Sequence, residues 1–313
     1  MTIPFISTNS SLPAVSATVI GAVLIVGLGV TMGSYWTVVA LNLFMWIALT
    51  QSWSLFSGMT GYISLGHVVA YGIGAYLVAV TFKMIPLWLS IPLGGLAAGL
   101  FALIVAIPVL RVRGPYFVIL TFGLAELVKY ILLYTETTFG KSSRLLFGAP
   151  KTEVLLYWVA ALAVIATLIT YFVGRSRFGK GLAAVREDET AAETIGVPVT
   201  RLKVLAFAAS AVIPGMIGGL MAMRSTYFDV LQVFNPTISF SIVTMAIIGG
   251  AGDARGPILG ALFMLGLAEL LWSTAPQLYF ILLGLFLIGF VLFAPNGLIG
   301  LIKRRKQQKG AVS

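Results

Sequence analysis

The sequence predicts an all-α, polytopic membrane protein with about ten transmembrane helices. Of its 313 residues, 59% are hydrophobic and 10% are charged, whereas soluble domains carry about 25% charged residues. Its apolar runs reach the ~20 residues that a helix needs to cross a bilayer core of ~30 Å. They lack the alternating pattern of outer-membrane β-barrels.

Composition also excludes several functions. With no cysteine and one histidine, the chain has no disulfide and no thiolate metal site, and no metal is expected. Its net charge of +10 is distributed between apolar runs, which indicates membrane topology and not nucleic-acid binding. No paired catalytic carboxylates or G-x-S-x-G elbow occur, so no catalytic residue and no enzymatic activity are predicted.

Ten apolar segments follow one another in a single transmembrane domain, residues 1–313. If the segment near 61–82 or the loop at 135–153 is part of a half-span, eight or nine crossings result. The ten segments are 16–32, 36–57, 61–82, 87–110, 115–134, 154–173, 201–223, 232–250, 256–272 and 277–294.

Charge sets the predicted orientation. The basic tail at 303–313 contains the KRRK cluster, and basic residues concentrate on the cytoplasmic side of membranes. Counting back from this tail places 14 of the 20 basic residues on the same side, together with the N-terminus. Because the N-terminus has no basic region, no cleavable signal peptide is predicted. Both termini are therefore expected to be cytoplasmic.

Two glycine-rich turns and a few polar side chains are candidates for a translocation path. Glycine allows turns and close helix contacts that a Cβ would block. His67 either makes hydrogen bonds between packed helices or lines a substrate path, because ionisable groups in membranes tend to be functional. Glu126 lies three residues before Lys129, a spacing that favours a structural ion pair over a proton relay. The path candidates are Gly61, Ser64, Gly66, His67, Tyr71, Glu126, Gly249, Gly250 and Gly252.

The segment at 175–203 is too polar to lie in hydrocarbon, since four of the ten acidic residues lie between positions 187 and 193. Residues 179–195 are expected to form one helix of about four turns, ended by Gly196 and Pro198. Most charged loops are solvated connectors. Here the thin apolar stripe of Leu182, Val185, Ala192 and Ile195 favours docking on a partner, because so short a helix has little reason to fold alone.

Residues 174–180 match the first seven positions of a phosphate-binding loop. Gly181 stands where that motif requires Ser or Thr to bind magnesium, and the stretch follows a membrane span instead of a strand. No nucleotide is therefore expected to bind to this chain.

Several motifs, in order and with fitting spacing over residues 40–300, carry a family resemblance. Residues 58–67 (GMTGYISLGH) resemble the early signature of branched-chain amino-acid ABC importer permeases. The stretches beginning at Arg113 (RGPYF) and Thr121 (TFGLAE) resemble their next motif, and GGAGDARGPILG from Gly249 the late one. The stretch beginning at Ser176 (SRFGKGLAAVREDE) is similar to their cytoplasmic coupling segment, and the match is specific to the LivM-like half of the family.

The resemblance implies a non-catalytic permease subunit in a bacterial or archaeal plasma (inner) membrane. Its partners would be a second homologous permease, two cytoplasmic ABC ATPases that bind ATP and Mg²⁺, an external solute-binding protein and membrane lipid. Thr190 and Lys129 depart from the family pattern, which usually has Glu and Arg at these places. The ATPase-coupling residues it implies are Phe178, Gly179, Leu182, Arg186, Glu187, Asp188, Glu189, Ala191, Ala192 and Gly196.

The expected substrates are leucine, isoleucine and valine, or another small hydrophobic amino acid. Related permeases handle urea, amides and other amino acids, and these alternatives stay open. An ion-coupled secondary transporter of a small zwitterion or amide is the rival from another class. It would need acidic groups within the membrane for coupling, and the sequence offers mainly Glu126 beside Lys129.

Overall fold

The computed structural model describes residues 12–82, 84–139, 144–146, 148–225, 227–272, 276–293 and 297–300. The basic tail at 303–313 and the extreme N-terminus lie outside these residues. The described helices are α1 (Leu12–Thr31), α2 (Ser34–Trp53), α3 (His67–Thr81), α4 (Leu87–Val109), α5 (Pro115–Thr138), α6 (Thr152–Arg175), α7 (Arg177–Glu187), α8 (Glu189–Thr194), α9 (Val199–Arg224), α10 (Val230–Val233), α11 (Pro236–Gly249), α12 (Gly256–Trp272) and α13 (Pro276–Phe293).

The polytopic, helical class predicted from the sequence is confirmed. Within the described chain, six stretches are long and apolar enough to cross a membrane: α2 with its π-helical extension to Gly58, α4, α5, α6, α9, and the stretch Val230–Gly249. Four further apolar stretches of the described chain are shorter than a full span: Val19–Thr31 in α1, His67–Thr81 (α3), Gly256–Leu271 in α12 and Ile281–Phe290 in α13. The total of ten crossings therefore stays a prediction.

Two short strands depart from an all-helical chain. Strand β1 (Arg144–Leu145) pairs in antiparallel fashion with β2 (Tyr227–Phe228). The loop after α5 and the loop after α9 meet at the same end of the bundle, and pairing gives their backbone groups the hydrogen-bond partners that they need. Hydrophobic periodicity does not predict so short a ladder.

Close contact between backbones holds α9 against α3 and α4. An added Cβ at Gly74 would lie 1.9 Å from the carbonyl oxygen of Gly215, and one at Gly218 would lie 1.9 Å from that of Tyr71. Small residues at such contacts let dispersion forces act between backbones, which is the main source of helix association within a membrane. On the other side of the bundle, α2 packs along α6 and also contacts α9, α11 and α12.

Substituting Gly218 by alanine tests this packing. We expect Gly218→Ala to lower the free energy of unfolding by about 1–3 kcal/mol, because α3 must move to admit the methyl group. Gly123 in α5, where nothing lies within 4 Å of an added Cβ, is the control. Gly123→Ala should leave stability unchanged or raise it slightly through helix propensity. Unfolding temperatures in detergent compare the two, and equal values would contradict the packing described.

The loops after α2, α4, α6 and α11 lie together at one end of the bundle, which we call the coupling end. Arg113 contacts Glu189 at 3.1 Å, the Arg186 guanidinium donates to the carbonyl oxygen of Gly58, and Gln51 donates to that of Ala254. The charge pattern of the sequence assigned these loops to a common side of the membrane. At the opposite end Arg144 contacts Glu136 at 2.6 Å.

Candidate functional site

The polar segment forms two helices, not the single helix predicted. Ser176 accepts a hydrogen bond from the backbone N–H of Gly179 and begins α7. The backbone of Asp188 is extended, with φ −157°, and its carboxylate accepts from the N–H groups of Thr190 and Ala191, which begins α8. An acceptor side chain at this position is a helix N-cap. Asp188, one of the acidic residues of this polar segment, is therefore the residue that divides it into two helices.

The predicted apolar stripe packs mainly on the chain itself. Leu182 is fully buried in a cluster with Phe56, Phe207 and other membrane-helix residues. Val185 and Ala192 are buried with Val199 at the start of α9. The interpretation of the stripe as a partner surface is thus wrong for these residues, because the chain's own helices cover them. Only Ile195 points outward, with 77% of its surface exposed.

Glu189 ties α8 to the membrane helices. Its Oε2 accepts from the Tyr62 hydroxyl at 2.5 Å, and its Oε1 accepts from Lys203 Nζ at 2.5 Å. Arg113 contacts the same Oε1 at 3.1 Å. Hydrogen bonds to charged groups are the stronger kind, each contributing about 1.5–3 kcal/mol. The first carboxylate of α8 is therefore an internal anchor.

Burial and hydrogen bonding act in opposite directions on this carboxyl group. Burial raises its pKa, but the hydrogen bonds from Lys203 and Tyr62 and the charges of Lys203 and Arg113 outweigh burial, so the pKa of Glu189 lies below its ordinary value. Burial and the bond to Glu189 raise the pKa of the Tyr62 phenol. A carboxyl group whose pKa is lowered by folding stabilises the fold at any pH above its unfolded-state pKa. This stabilisation is lost only as the pH falls through the lowered, folded-state pKa. The anchor is thus fully ionised at neutral pH.

Arg186 joins α7 to both glycine-rich turns. Its Nη1 donates to the carbonyl oxygen of Gly58 at 2.7 Å. A Cβ added at Gly61 would lie 3.2 Å from Arg186 Cγ, and one at Gly252 would lie 3.7 Å from Nη1. The turns also touch each other, since a Cβ at Gly58 would lie 2.3 Å from the carbonyl oxygen of Ala251. Three motifs that are distant in sequence meet at this arginine.

The chain between α2 and α3 is a broken helix. The end of α2 continues as a π-helix, Ser54–Gly58, a feature that often occurs at functional sites. The predicted span at 61–82 begins as irregular backbone, and α3 starts only at His67. Side chains replace the missing helical bonds: Thr121 accepts from the N–H of Leu65, while Ser239 donates to the Leu65 carbonyl and accepts from the N–H of Val68.

The break lies inside the bundle. Ser239 is ten residues before Gly249, where α11 reaches the coupling end, which places it about 15 Å deep at 1.5 Å per residue. Irregular backbone at membrane depth is tolerated only where protein or a water-filled cavity surrounds it. In transporters, such breaks mark the site where substrate binds.

His67 has no hydrogen-bond partner for either ring nitrogen among the described residues, although its side chain is 4% exposed. The hydrogen-bonded interpretation thus has no partner group among the described residues, and both the structural and the path interpretation of His67 stay predictions. The imidazole lines a narrow crevice between α3, α4, α5 and α9. Residues of α4, α5 and α9 contribute to the walls, among them Ala98, Ala102, Val105, Leu124, Phe207 and Ser210.

The other path candidates lie at several places. Ser64 bonds to the N–H of Gly66 within the broken segment. Gly249 packs against Gly256, and Gly250 has a positive φ of 102°. Tyr71 is buried in α3 against Gly218. Glu126 forms the expected ion pair with Lys129 in α5.

The remaining coupling candidates divide by exposure. Gly179 is buried at the α6–α7 turn and Phe178 is half-buried. The exposed candidates are Arg186, Glu187, Asp188, Ala191 and Gly196.

Sequence reasoning missed Tyr62, Arg113 and Lys203 as members of this site. The first two lie within quoted motifs, and the third is a lysine in the first turns of an apolar helix. A cation there needs a partner, which was the available signal.

The fold and this docked segment define the class: a polytopic helical membrane protein with a polar two-helix segment held against one end of its bundle. The chain belongs to the family described as branched-chain amino acid transport system / permease component, whose model matches residues 37–294.

Curated proteins similar to this chain carry names of the same family. The high-affinity branched-chain amino acid transport system permease proteins LivM of Salmonella typhimurium and Escherichia coli are 29% and 28% identical, covering 80% and 82% of this chain and 67% and 68% of theirs. The corresponding protein BraD of Pseudomonas aeruginosa is 26% identical over 87% of this chain and 94% of its own. No solved structure matches the chain.

Proposed function

We propose that the chain is a permease subunit of an ABC importer for branched-chain amino acids. It forms part of the translocation path and takes its energy from separate ATPase subunits. The observation that carries the proposal is the α7–α8 segment, which is fixed to the membrane helices on one side and presents an exposed surface on the other. Family membership and the names of the relatives support the substrate class.

The exposed surface for the ATPase lies around the end of α8. Ile195 is a large apolar side chain in water, and Gly196, with φ +84°, ends the helix in a conformation that favours glycine. A Cβ at Gly196 would find nothing within 4 Å, so this turn is free to enter a partner's groove. The coupling end is accordingly cytoplasmic, in agreement with the positive-inside pattern.

The proposed partners are the other components of such a transport system, in keeping with the family of the chain. Two ATPases bind ATP and Mg²⁺ at the coupling end, a second permease completes the membrane part, and an external solute-binding protein delivers substrate. ATP-driven movement of the ATPases moves α7 and α8, and the attached helices open the path alternately to the two sides.

Reconstitution tests this function against ion-coupled transport. The permease, its sister permease, the ATPases and the binding protein are placed in liposomes with radiolabelled leucine outside. We expect uptake that requires ATP and survives collapse of the ion gradients. Uptake without ATP that disappears with the sodium or proton gradient would establish the secondary transporter instead.

His67 contributes to the path in this proposal, and His67→Leu tests it. The substituted side chain has a similar volume and lacks the two unpartnered buried nitrogens, so the unfolding temperature should stay the same or rise. Transport of the substrate leucine should nevertheless fall about tenfold, the factor that matches the loss of one hydrogen bond to a charged group. Uptake and selectivity equal to wild type would make His67 a packing residue.

A further inference from the structure

We propose that Tyr62, Glu189 and Lys203 form a latch through which movement of α8 reaches the broken segment before α3. The inference rests on the proposed function, since it concerns how the coupling segment acts on the membrane helices. The three residues are positioning residues within the chain. None of them is proposed to contact the ATPase or the substrate.

The latch joins three separate parts of the chain at one carboxylate. Glu189 begins α8, Tyr62 lies in the irregular backbone between the π-helix and α3, and Lys203 lies in the second turn of α9. The Glu189 side chain is 11% exposed and that of Lys203 is 4% exposed. Lys203 Nζ also lies 3.2 Å from the Tyr62 hydroxyl oxygen. All three pairs are therefore in direct contact, and the carboxylate and the ammonium are largely shielded from water.

The geometry excludes Glu189 from the partner surface. Both of its oxygens are already engaged by cations or a hydroxyl of this chain. If the Glu189 carboxylate turned toward an external partner, the nearly buried Lys203 ammonium would lose its counter-charge, which is strongly unfavourable. Arg113 is 56% exposed, so its contact with Glu189 contributes little. The essential members are the tyrosine and the lysine.

Tyr62 can transmit displacement because its ring packs against buried side chains. Its ring packs edge-on against Phe117, with centroids 5.1 Å apart, and lies beside Phe56. Phe56 and Phe117 are fully buried. Five residues after Tyr62, the chain enters α3 at His67, fixed by Thr121 and Ser239. A shift of α8 therefore pulls on the hydroxyl of a side chain that cannot yield independently of the broken segment.

Tyr62→Phe is the decisive variant, because it keeps the ring packing and removes only the hydroxyl. The complex is assembled with its ATPases, and three quantities are measured: co-purification of the ATPases, ATP hydrolysis and leucine uptake. We expect normal co-purification and hydrolysis, with uptake per ATP reduced about tenfold, the factor for one lost hydrogen bond to a charged group. Tyr116→Phe, at a tyrosine that is 73% exposed, is the matched control and should behave as wild type.

Two further variants separate the latch from a general loss of structure. Lys203→Met keeps the apolar stem and removes the charge, and Lys151→Met makes the same change at an exposed lysine before α6, at the opposite end of the bundle. Uptake per ATP should fall with the first and stay near wild type with the second. Tyr62→Phe with an unchanged ratio of uptake to ATP hydrolysis would overturn the latch. Failure of the wild-type chain to associate with any ATPase would instead overturn the proposed function.

Discussion

Replacing Ile195 by aspartate is expected to disconnect the permease from its ATPases while leaving the membrane part folded. The side chain is 77% exposed in the chain itself, and substitutions at such positions usually change stability by less than about 0.5 kcal/mol. In the proposed complex the same side chain enters a groove. Loss of its burial removes about 1.5–3 kcal/mol of binding free energy, so affinity falls at least about tenfold.

Co-purification of the ATPases and ATP-driven leucine uptake measure this effect. Ile195→Val keeps an apolar side chain and is the control, with both quantities near wild type. Normal co-purification of Ile195→Asp would show that the ATPases bind elsewhere. A lower unfolding temperature for the isolated permease would show that Ile195 supports the fold.

The same substitution at Leu182 is expected to act through the fold of the permease and not through the partner surface. Leu182 is fully buried between α7 and the membrane helices, and truncation of such a side chain costs about 2–5 kcal/mol. Leu182→Asp adds an uncompensated buried charge, which the fold avoids by releasing α7. We expect protease cleavage within residues 175–203 and loss of both ATPase association and uptake.

Limited proteolysis of the purified permease measures the release of α7 directly. Leu182→Met conserves volume and should cost less than about 1.5 kcal/mol, so its cleavage pattern should match that of wild type. Resistance of Leu182→Asp to protease would contradict the docking of α7 described here. Ile195→Asp, in the same segment, should also remain resistant, which makes the pair internally controlled.

The helical class and the positions of the apolar helices could be predicted because hydrocarbon imposes a strong constraint on composition and length. The charge pattern also predicts that the loops containing Arg113, the 175–203 segment and Arg255 lie on one side of the membrane. In the structure Arg113 contacts Glu189 and Arg186 donates to the carbonyl oxygen of Gly58, so the 175–203 segment lies against the loops after α4 and α2. Hydropathy indicated ten spans, whereas six stretches of the described chain are long enough to cross a membrane and four apolar stretches are shorter. The start of α3 depends on Thr121 and Ser239, distant in sequence, whose hydroxyl oxygens accept hydrogen bonds from the N–H groups of Leu65 and Val68.

The candidate site was predictable in part. The motifs at 58–67, 175–203 and 249–260 predict which segments form the site, but they do not predict which side chains face the bundle and which face water. Leu182 and Ile195 have the same apolar character, and only the fold shows that one faces the bundle and the other faces water. Likewise, Glu189 was grouped with exposed acidic neighbours. Its role as an anchor depends on Tyr62 and Lys203, whose approach follows from tertiary packing.

Labelling of a single cysteine at position 195 shows which side of the membrane the end of α8 faces and whether the ATPases cover it, since the chain has no native cysteine. Ile195→Cys is exposed to a membrane-impermeant maleimide in right-side-out and in inverted vesicles, with and without the ATPase subunits. We expect labelling only in inverted vesicles, and protection from labelling when the ATPases are present. Labelling from the outside, or equal labelling with and without the ATPases, would contradict it.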